Sequence, residues 1–256
     1  MLIDVALLPG QRHDPSRAVC VVVDVLRASS SIVTLLDGGA SRILPAAAID
    51  EARDLHRRFP DHLLCGERDG LPPPGFDYGN SPDEFSRLDL GGRPAILATS
   101  NGTRLLVALA GAPAVLVGCL LNRTAVARAA VALAGARGLD ISVVCSAAHG
   151  GSAFVLEDAL GAGAIVDAAL RPDGPPSGRL YPAPEPSDAA RFARDAYLTA
   201  ARDLSGAVAS SYHARELTDA GLGADVAYCA RLDLSSAVPL LARDADGVLT
   251  LGPLAP

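Results

Sequence analysis

Short runs of apolar, β-branched residues alternate along the first 170 residues with stretches that space apolar side chains at helical intervals. The run at 18–25 is almost continuously apolar, as expected for a strand buried on both faces of a sheet. The segment at 49–59 instead places Ile49, Leu55 and Phe59 on one helical face. Further strands are predicted at 41–45, 62–66, 94–100, 114–119 and 141–146, and further helices at 103–110 and 123–137.

This alternation predicts an α/β fold over residues 1–170, with three α/β/α layers around a mostly parallel sheet. Six prolines at 171–186 predict an extended connector. Residues 187–256 should add C-terminal helices and short strands that pack on the core as one compact unit. These elements are predicted at 187–204 and 206–217 for the helices, and at 226–231, 237–241 and 248–251 for the strands. Asp246 and Gly247 predict a hairpin turn between the last two strands.

Composition narrows the classes of function. Apolar residues make up 50% of the chain, which supports a large core and excludes global disorder. The net charge is −7, Trp is absent and aromatics are 4%, so no nucleic-acid partner is expected. All 22 basic residues are Arg, which excludes Schiff-base chemistry and a P-loop, since both need a lysine amine.

The compartment is predicted from the N-terminus, the apolar runs and the cysteines. The N-terminal segment carries Asp4 and no basic stretch, so no signal peptide is expected. The uncharged run at 105–122 is interrupted by Gly111 and Pro113, so no membrane contact is expected. The cysteines are odd in number and lack Cys-x-x-Cys spacing: Cys20, Cys65, Cys119, Cys145 and Cys229. We therefore expect buried free thiols in a cytoplasmic protein, and a homodimer because the chain is apolar-rich.

Polar side chains follow the predicted strands, at the edge where parallel α/β sheets bind ligands. Asp24 ends the first buried run, where a carboxylate needs a partner or a metal. A salt bridge to Arg27 or a helix cap is the structural alternative. Glu67 and Arg68 follow another strand between two glycines, and a plain surface turn would also explain them.

The segment from Ser100 through Asn101 and Gly102 to Thr103 precedes a predicted helix. Free amides at such a start bind phosphate, and Arg104 can add a bidentate contact. An ordinary helix cap explains these residues equally well.

Three further positions complete the candidate set. Asn122 and Arg123 follow a later strand, where Asn122 can also cap the next helix. His149 lies in a loop with two glycines, which is either an anion-binding loop or a glycine turn. Glu157 and Asp158 follow in a predicted helix, where they can face the site or stabilise the helix dipole. The inventory of carboxylates, arginines and small polar residues suits an anion held together with a hard divalent cation.

Eight segments of the chain match a known family in order. They are VVVDVLRASSSIVTLLDGGA from Val21, GERDG from Gly66, GFDYGNSPDEF from Gly75, SNGTRLL from Ser100, LLNRTAVA from Leu120, EDALGAGAIV from Glu157, SYHARELTDAGLGADVAYCARLD from Ser211 and VPLL from Val238. With these segments the chain resembles the 2-phosphosulfolactate phosphatases, magnesium-dependent enzymes of the coenzyme M pathway. The resemblance is weakest at 171–204, and His149 and Ala214 depart from the family pattern.

The resemblance implies hydrolysis of 2-phosphosulfolactate (2-phospho-3-sulfolactate) to 3-sulfolactate and phosphate, with Mg²⁺ as cofactor. On this basis Asp24, Arg27 and Glu67 are the expected catalytic residues, and Asp24, Glu67 and Asp158 the expected metal ligands. The small anionic substrate is expected to contact Arg68, Ser100, Asn101, Gly102, Thr103, Arg104, Asn122, Arg123 and His149. Whether water or a carboxylate attacks first stays open. Hydrolysis of another small anionic phosphoester and non-catalytic anion binding are the alternatives.

Overall fold

The computed structural model of the chain describes residues 1–11, 14–171 and 181–254. Its strands are β1 (Leu2–Ala6), β2 (Ala18–Val23), β3 (Ile43–Ala46), β4 (Leu63–Gly66), β5 (Ala95–Ala98), β6 (Ala114–Gly118), β7 (Asp140–Cys145), β8 (Glu185–Pro186), β9 (Pro239–Arg243) and β10 (Leu249–Pro253). Its α-helices are α1 (Ala28–Asp37), α2 (Ile49–Arg58), α3 (Pro82–Phe85), α4 (Gly102–Ala108), α5 (Arg123–Arg137), α6 (Leu156–Ala169), α7 (Asp188–Ala200), α8 (Leu204–Ala209), α9 (Tyr212–Asp219) and α10 (Gly223–Cys229).

The described strands form one sheet in the order β4-β5-β3-β10-β9-β6-β2-β7-β1-β8. Most neighbouring strands are parallel, which confirms the predicted α/β class. Alternate side chains of β2 enter different cores, as the continuous apolar run predicted. Val19, Val21 and Val23 pack with side chains of α5, α6 and α7, whereas Cys20 and Val22 pack with those of α1 and α4.

The C-terminal hairpin lies inside the sheet. β9 and β10 separate β6 from β3 through three antiparallel pairings, so the β3, β5 and β4 ladder runs opposite to β6, β2, β7 and β1. Strand direction alone therefore does not bring the carboxyl ends of these two sets to one edge. A shared apolar core does connect them, since it contains Val22 of β2, Cys65 of β4 and Leu97 of β5 together with Leu106 of α4.

Two C-terminal predictions need correction. The segment at 226–231 was expected to be a strand, but α10 occupies most of it because Val226, Cys229 and Ala230 have the spacing of one buried helical face. The helix expected at 206–217 is divided into α8 and α9. Ser211 starts the second of them by accepting a hydrogen bond from the Ala214 amide at 3.2 Å.

The ends of the predicted core also differ from the expectation. Residues 2–6 form β1, a buried strand that the pattern analysis does not contain. In the predicted connector at 171–186, residues 172–180 lie outside the described residues, and Glu185–Pro186 pairs with β1. The predicted hairpin turn is confirmed, with Gly247 at a φ of 76° and its amide bonded to the Asp244 carbonyl at 3.0 Å.

Two predictions about the whole chain can be compared with the structure. All five cysteines are buried and free, as their spacing predicted. Within the described ranges, every helix is too short or too polar to cross a membrane.

Candidate active site

Loops after β2, β4, β5 and β7, together with the start of α9, line one cleft of about 1150 Å³. Eight of the residues expected to form the site contribute to its wall: Asp24, Arg27, Glu67, Arg68, Ser100, Asn101, Arg104 and His149. The structure thus brings most of the strand-end residues together, although the two sets of strands run in opposite directions.

Asp24 lies where the start of α4 meets the start of α1. Its Oδ1 accepts a hydrogen bond from the Ala28 amide at 3.1 Å. A Cβ atom on Gly102 would lie 2.5 Å from Asp24 Oδ2 and 2.6 Å from the Ala28 Cβ. Glycine is therefore what permits this close approach, and Gly102 contributes to the site by packing beneath Asp24.

Three carboxylates are buried around this point. Asp24, Glu157 and Asp158 are only 5%, 1% and 2% exposed. Burial raises the pKa of each, and repulsion from neighbouring carboxylates raises these pKa values further. His213 acts in the opposite direction on the pKa values of Asp24 and Glu157. Such a set of carboxylates favours a bound cation or proton, because buried negative charges that interact repel one another.

The adjacent residues Glu157 and Asp158 have different environments. Asp158 accepts hydrogen bonds from the Val25 amide at 2.8 Å, and from the Ser146 hydroxyl and the Ala147 amide at 3.2 Å each. It fastens the ends of β2 and β7 behind the cleft wall. Glu157 lines the cleft, and its buried Oε2 has no hydrogen-bond partner among the described residues. Glu157 therefore has an acceptor available to a ligand.

Glu67 connects two loops. Its Oε2 accepts a hydrogen bond from the Gly70 amide at 3.0 Å, and its Oε1 accepts one from the Ser100 amide at 2.7 Å. The loop after β4 is thereby fastened to the loop after β5. Both carboxylate oxygens thus already have a protein donor, while the side chain still faces the cleft.

The arginines of the cleft fall into two groups. Arg27 is buried, with Nη1 2.7 Å from Asp225 Oδ2 and Nη2 donating to the Gly70 carbonyl at 2.9 Å. Arg68 and Arg104 are exposed in the cleft. Within the described ranges, neither of these two side chains has a hydrogen-bond or ion-pair partner. Both are therefore free to bind an anionic ligand.

The start of α4 is less open than its sequence suggested. The Ser100 amide is bonded to Glu67, and the Thr103 amide donates to Thr99 Oγ1 at 3.2 Å. Asn101 Oδ1 accepts a hydrogen bond from the Gly150 amide at 3.0 Å, which fastens the loop that carries His149. The Ser100 and Thr103 amides are therefore engaged within the protein. Arg104 adds a guanidinium group that an anion can reach.

Asn122 and Arg123 lie away from the cleft. Asn122 Nδ2 donates to the Val117 carbonyl at 3.1 Å and the Ala237 carbonyl at 2.9 Å, so this side chain fastens the approach to β9. Arg123 Nε is 2.9 Å from Asp233 Oδ2. Both residues follow β6, whose end meets the segment before the hairpin, so the strand-end argument does not place them in the site.

Comparison with known proteins assigns the family. A family model described as 2-phosphosulpholactate phosphatase matches residues 6–244. The chain belongs to the 2-phosphosulfolactate phosphatase family. The matched range contains every loop that lines the cleft.

Individual relatives in this family match over nearly their whole length. A Pseudothermotoga lettingae protein named probable 2-phosphosulfolactate phosphatase is 38% identical over 248 residues, which are 95% of this chain and 97% of the relative. Proteins of the same name from Deinococcus radiodurans and Carboxydothermus hydrogenoformans are 38% and 34% identical, covering 94% and 93% of this chain and 93% and 92% of theirs.

Residues missed by the sequence reasoning form the opposite wall of the cleft in this family member. Ser211, Tyr212 and His213 begin α9 there, and Asp225 holds Arg27 from behind. The available signal was the polar Ser-Tyr-His segment, but the prediction of one continuous helix at 206–217 concealed the helix start that presents it. Asp225 comes just before the segment expected to be a strand, so it was not considered.

The carboxylates in and around the cleft can be compared with the ligands that Mg²⁺ usually binds. Among the described residues, no three His, Cys, Asp or Glu side chains form a group that could hold a metal unaided. Magnesium usually takes only one or two carboxylates, with water and substrate phosphate completing its shell. Asp24 and Glu157 fit that requirement, because both are buried, both line the cleft and Glu157 Oε2 has no protein partner.

Proposed function

We propose that this protein is a magnesium-dependent phosphatase that hydrolyses 2-phosphosulfolactate to 3-sulfolactate and phosphate. The observation that supports this best is one cleft that combines the unpartnered Oε2 of Glu157 with the free guanidinium groups of Arg68 and Arg104. The proposed substrate carries phosphate, carboxylate and sulfonate groups. Arginine is well suited to bind all of these, because its N–H fork matches paired oxygens.

The residues of the cleft would have different roles in this reaction. Mg²⁺, when bound, neutralises charge on the phosphoryl oxygens and orients them for in-line displacement. Asp24 and Glu157 would hold it, while Glu67 and Asp158 keep the surrounding loops in place through their backbone contacts. Arg27 binds the phosphoryl oxygens. The oxygen of water forms the new P–O bond, the ester P–O bond breaks, and a proton from that water passes to the departing alkoxide of 3-sulfolactate.

Arg68 and Arg104 would bind the groups that distinguish the substrate from a simple phosphomonoester. Both are exposed, so the carboxylate and sulfonate can reach them from the cleft mouth. This assignment predicts that 2-phospholactate, which lacks the sulfonate, is a poorer substrate than 2-phosphosulfolactate.

Phosphate release tests the proposal directly. The purified protein should release phosphate from 2-phosphosulfolactate with Mg²⁺ and lose this activity in excess chelator. Full turnover in chelator would overturn magnesium dependence. Faster release from a different phosphoester would replace the substrate, and tight binding of 2-phosphosulfolactate without phosphate release from any ester would favour a non-catalytic anion-binding protein.

Substitution of Asp24 or Glu157 tests the metal assignment. Asp24→Asn and Glu157→Gln should each lower kcat/KM more than about 100-fold and raise the Mg²⁺ concentration needed for activity, because groups that merely orient metal ligands already contribute about 10–100-fold. Mg²⁺ titration by calorimetry should show the same weakening. Glu216→Gln is the matched control, since Glu216 lines the same cleft but its side chain is 54% exposed. Equal Mg²⁺ affinity in all three variants would contradict the assignment.

We also propose a cytoplasmic location, because five free buried thiols suit a reducing compartment. The homodimer expected from composition stays a prediction, which light scattering on the purified protein will check.

A further inference from the structure

Arg27 lies in the cleft wall just before α1, with its guanidinium group held from behind. Its Nη1 is 2.7 Å from Asp225 Oδ2, and its Nη2 donates to the Gly70 carbonyl at 2.9 Å. The side chains of Arg27 and Asp225 are only 3% and 1% exposed. The other N–H groups of Arg27 have no protein acceptor within the described ranges. They are the donors that this residue can offer to a ligand in the cleft.

Asp225 is itself held in one orientation. Its Oδ1 accepts hydrogen bonds from the Ser81 hydroxyl at 2.6 Å and from the Asp83 amide at 3.1 Å. Its Oδ2 accepts the hydrogen bond from Arg27. Asp225 is therefore the point where α10, the start of α3 and the cleft arginine meet, and it does not itself line the cleft.

Building on the proposed phosphatase function, we propose that Asp225 is the positioning residue that fixes the plane of the Arg27 guanidinium against the phosphoryl group. A guanidinium binds two phosphoryl oxygens only when its plane is correctly oriented. Displacement of such a group by about 1 Å can reduce the rate about 100-fold. Because Asp225 is fixed by donors from α3, it holds Arg27 in place without touching the substrate.

Asp225→Asn gives the most direct test with 2-phosphosulfolactate as substrate. Asn preserves the shape and the Oδ1 acceptor for Ser81 and Asp83, but it presents an amide donor to the Arg27 donor. We expect kcat to fall about 100-fold while KM changes much less, because the geometry of the transition state is affected more than binding. Arg27→Ala should lower kcat/KM about 10³-fold or more.

A double variant separates positioning from simple stabilisation. Adding Asp225→Asn to Arg27→Ala should cause no further loss of activity, because Asp225 acts only through Arg27. Guanidinium chloride at millimolar concentration should partly restore activity to Arg27→Ala, where Asp225 can hold the added cation. It should not restore the double variant. The double variant leaves neither charge unpaired, so it serves as the test even if Asp225→Asn alone is too unstable to assay.

The matched control is Asp167→Asn, which removes another buried carboxylate that pairs with arginine. Asp167 is 3.1 Å from Arg194 Nε and lies outside the cleft. This substitution should lower Tm. At temperatures below the unfolding transition, kcat and the effect of added guanidinium on activity should be the same as for the wild-type protein. If the wild-type protein is active and Asp225→Asn keeps an activity within about threefold of it, this inference alone is overturned. It is also overturned if guanidinium restores the double variant as well as it restores Arg27→Ala. A wild-type protein that releases no phosphate would overturn the proposed function and this inference with it.

Discussion

Individual residues in and behind the cleft divide into those fastened by protein contacts and those left available to a ligand. Glu67, Asp158 and Asp225 each use both carboxylate oxygens to accept hydrogen bonds from the protein. Glu157 and Arg104 retain groups without a protein partner among the described residues. Substitution of the available groups should therefore change activity more than stability.

Arg104 is the clearest case of an available side chain. Because it is exposed, Arg104→Ala should leave Tm unchanged. It should lower kcat/KM about 10- to 100-fold, since a hydrogen bond to a charged group contributes about 1.5–3 kcal/mol. Arg104→Lys should recover only part of the loss, because an ammonium keeps the charge but not the N–H fork. Kinetics and thermal melting measure both effects.

Arg123→Ala is the control for this variant. Arg123 pairs with Asp233 outside the cleft, so its loss should lower Tm slightly and preserve kcat/KM. If Arg104→Ala keeps activity within about threefold of wild type, Arg104 does not bind substrate.

Among the elements, the first turn of α4 packs closely against Asp24 and the start of α1. The first residue of α4 is Gly102, and the space beside it is occupied by Asp24 and Ala28. The position of α4 also connects the β4 and β5 loops to the end of β2, through the apolar core that Leu105 and Leu106 share with Val22.

Gly102→Ala tests this contact. Alanine is the better helix former by about 1 kcal/mol, so any loss of stability must come from the steric conflict with Asp24 and Ala28. Overpacking costs about 1–3 kcal/mol, and we expect Tm to fall by several degrees and kcat/KM to fall more than about tenfold. The control is Gly111→Ala, where no atom lies within 4 Å of the added Cβ. A Gly102→Ala enzyme as stable and active as this control would show that the approach of α4 is not critical.

At the scale of the whole molecule, the cysteines are distributed through the apolar interior. Cys20 and Cys65 belong to one core, Cys145 and Cys229 to another, and Cys119 packs near α10. Burial raises the pKa of Cys119 to about 12, and it also raises the pKa values of Cys65, Cys145 and Cys229. The reactive thiolate form is therefore scarce in the folded protein.

Thiol labelling measures this property. The folded protein at neutral pH should react very slowly with a thiol reagent, whereas denaturation without reductant should yield five adducts by mass spectrometry. Fewer than five adducts would reveal a disulfide. Rapid labelling of the folded protein would contradict the buried environment of these side chains.

The sequence predicted much of the fold because hydrophobic periodicity is a local property. The runs at 18–25, 62–66 and 114–119 became β2, β4 and β6, since apolar residues buried on both faces leave few alternatives to a buried strand. Polar residues after such strands were also sound candidates, because a buried strand must end where its polar side chains can find partners or solvent. Asp24 and Glu67 were selected by that argument, and both line the cleft.

Only the tertiary structure decided which polar residues share the cleft. Glu157 and Asp158 are neighbours in the chain, but successive helical side chains point in different directions, so the packing of α6 selects which one faces the cleft. Asn122 was equally placed after a strand, yet its side chain donates a hydrogen bond to the Ala237 carbonyl, in the segment that leads into the hairpin beside β6. Asp225 reaches Arg27 across 198 residues of chain. Local periodicity carries no information about such long-range partners, because they depend on how complete elements pack.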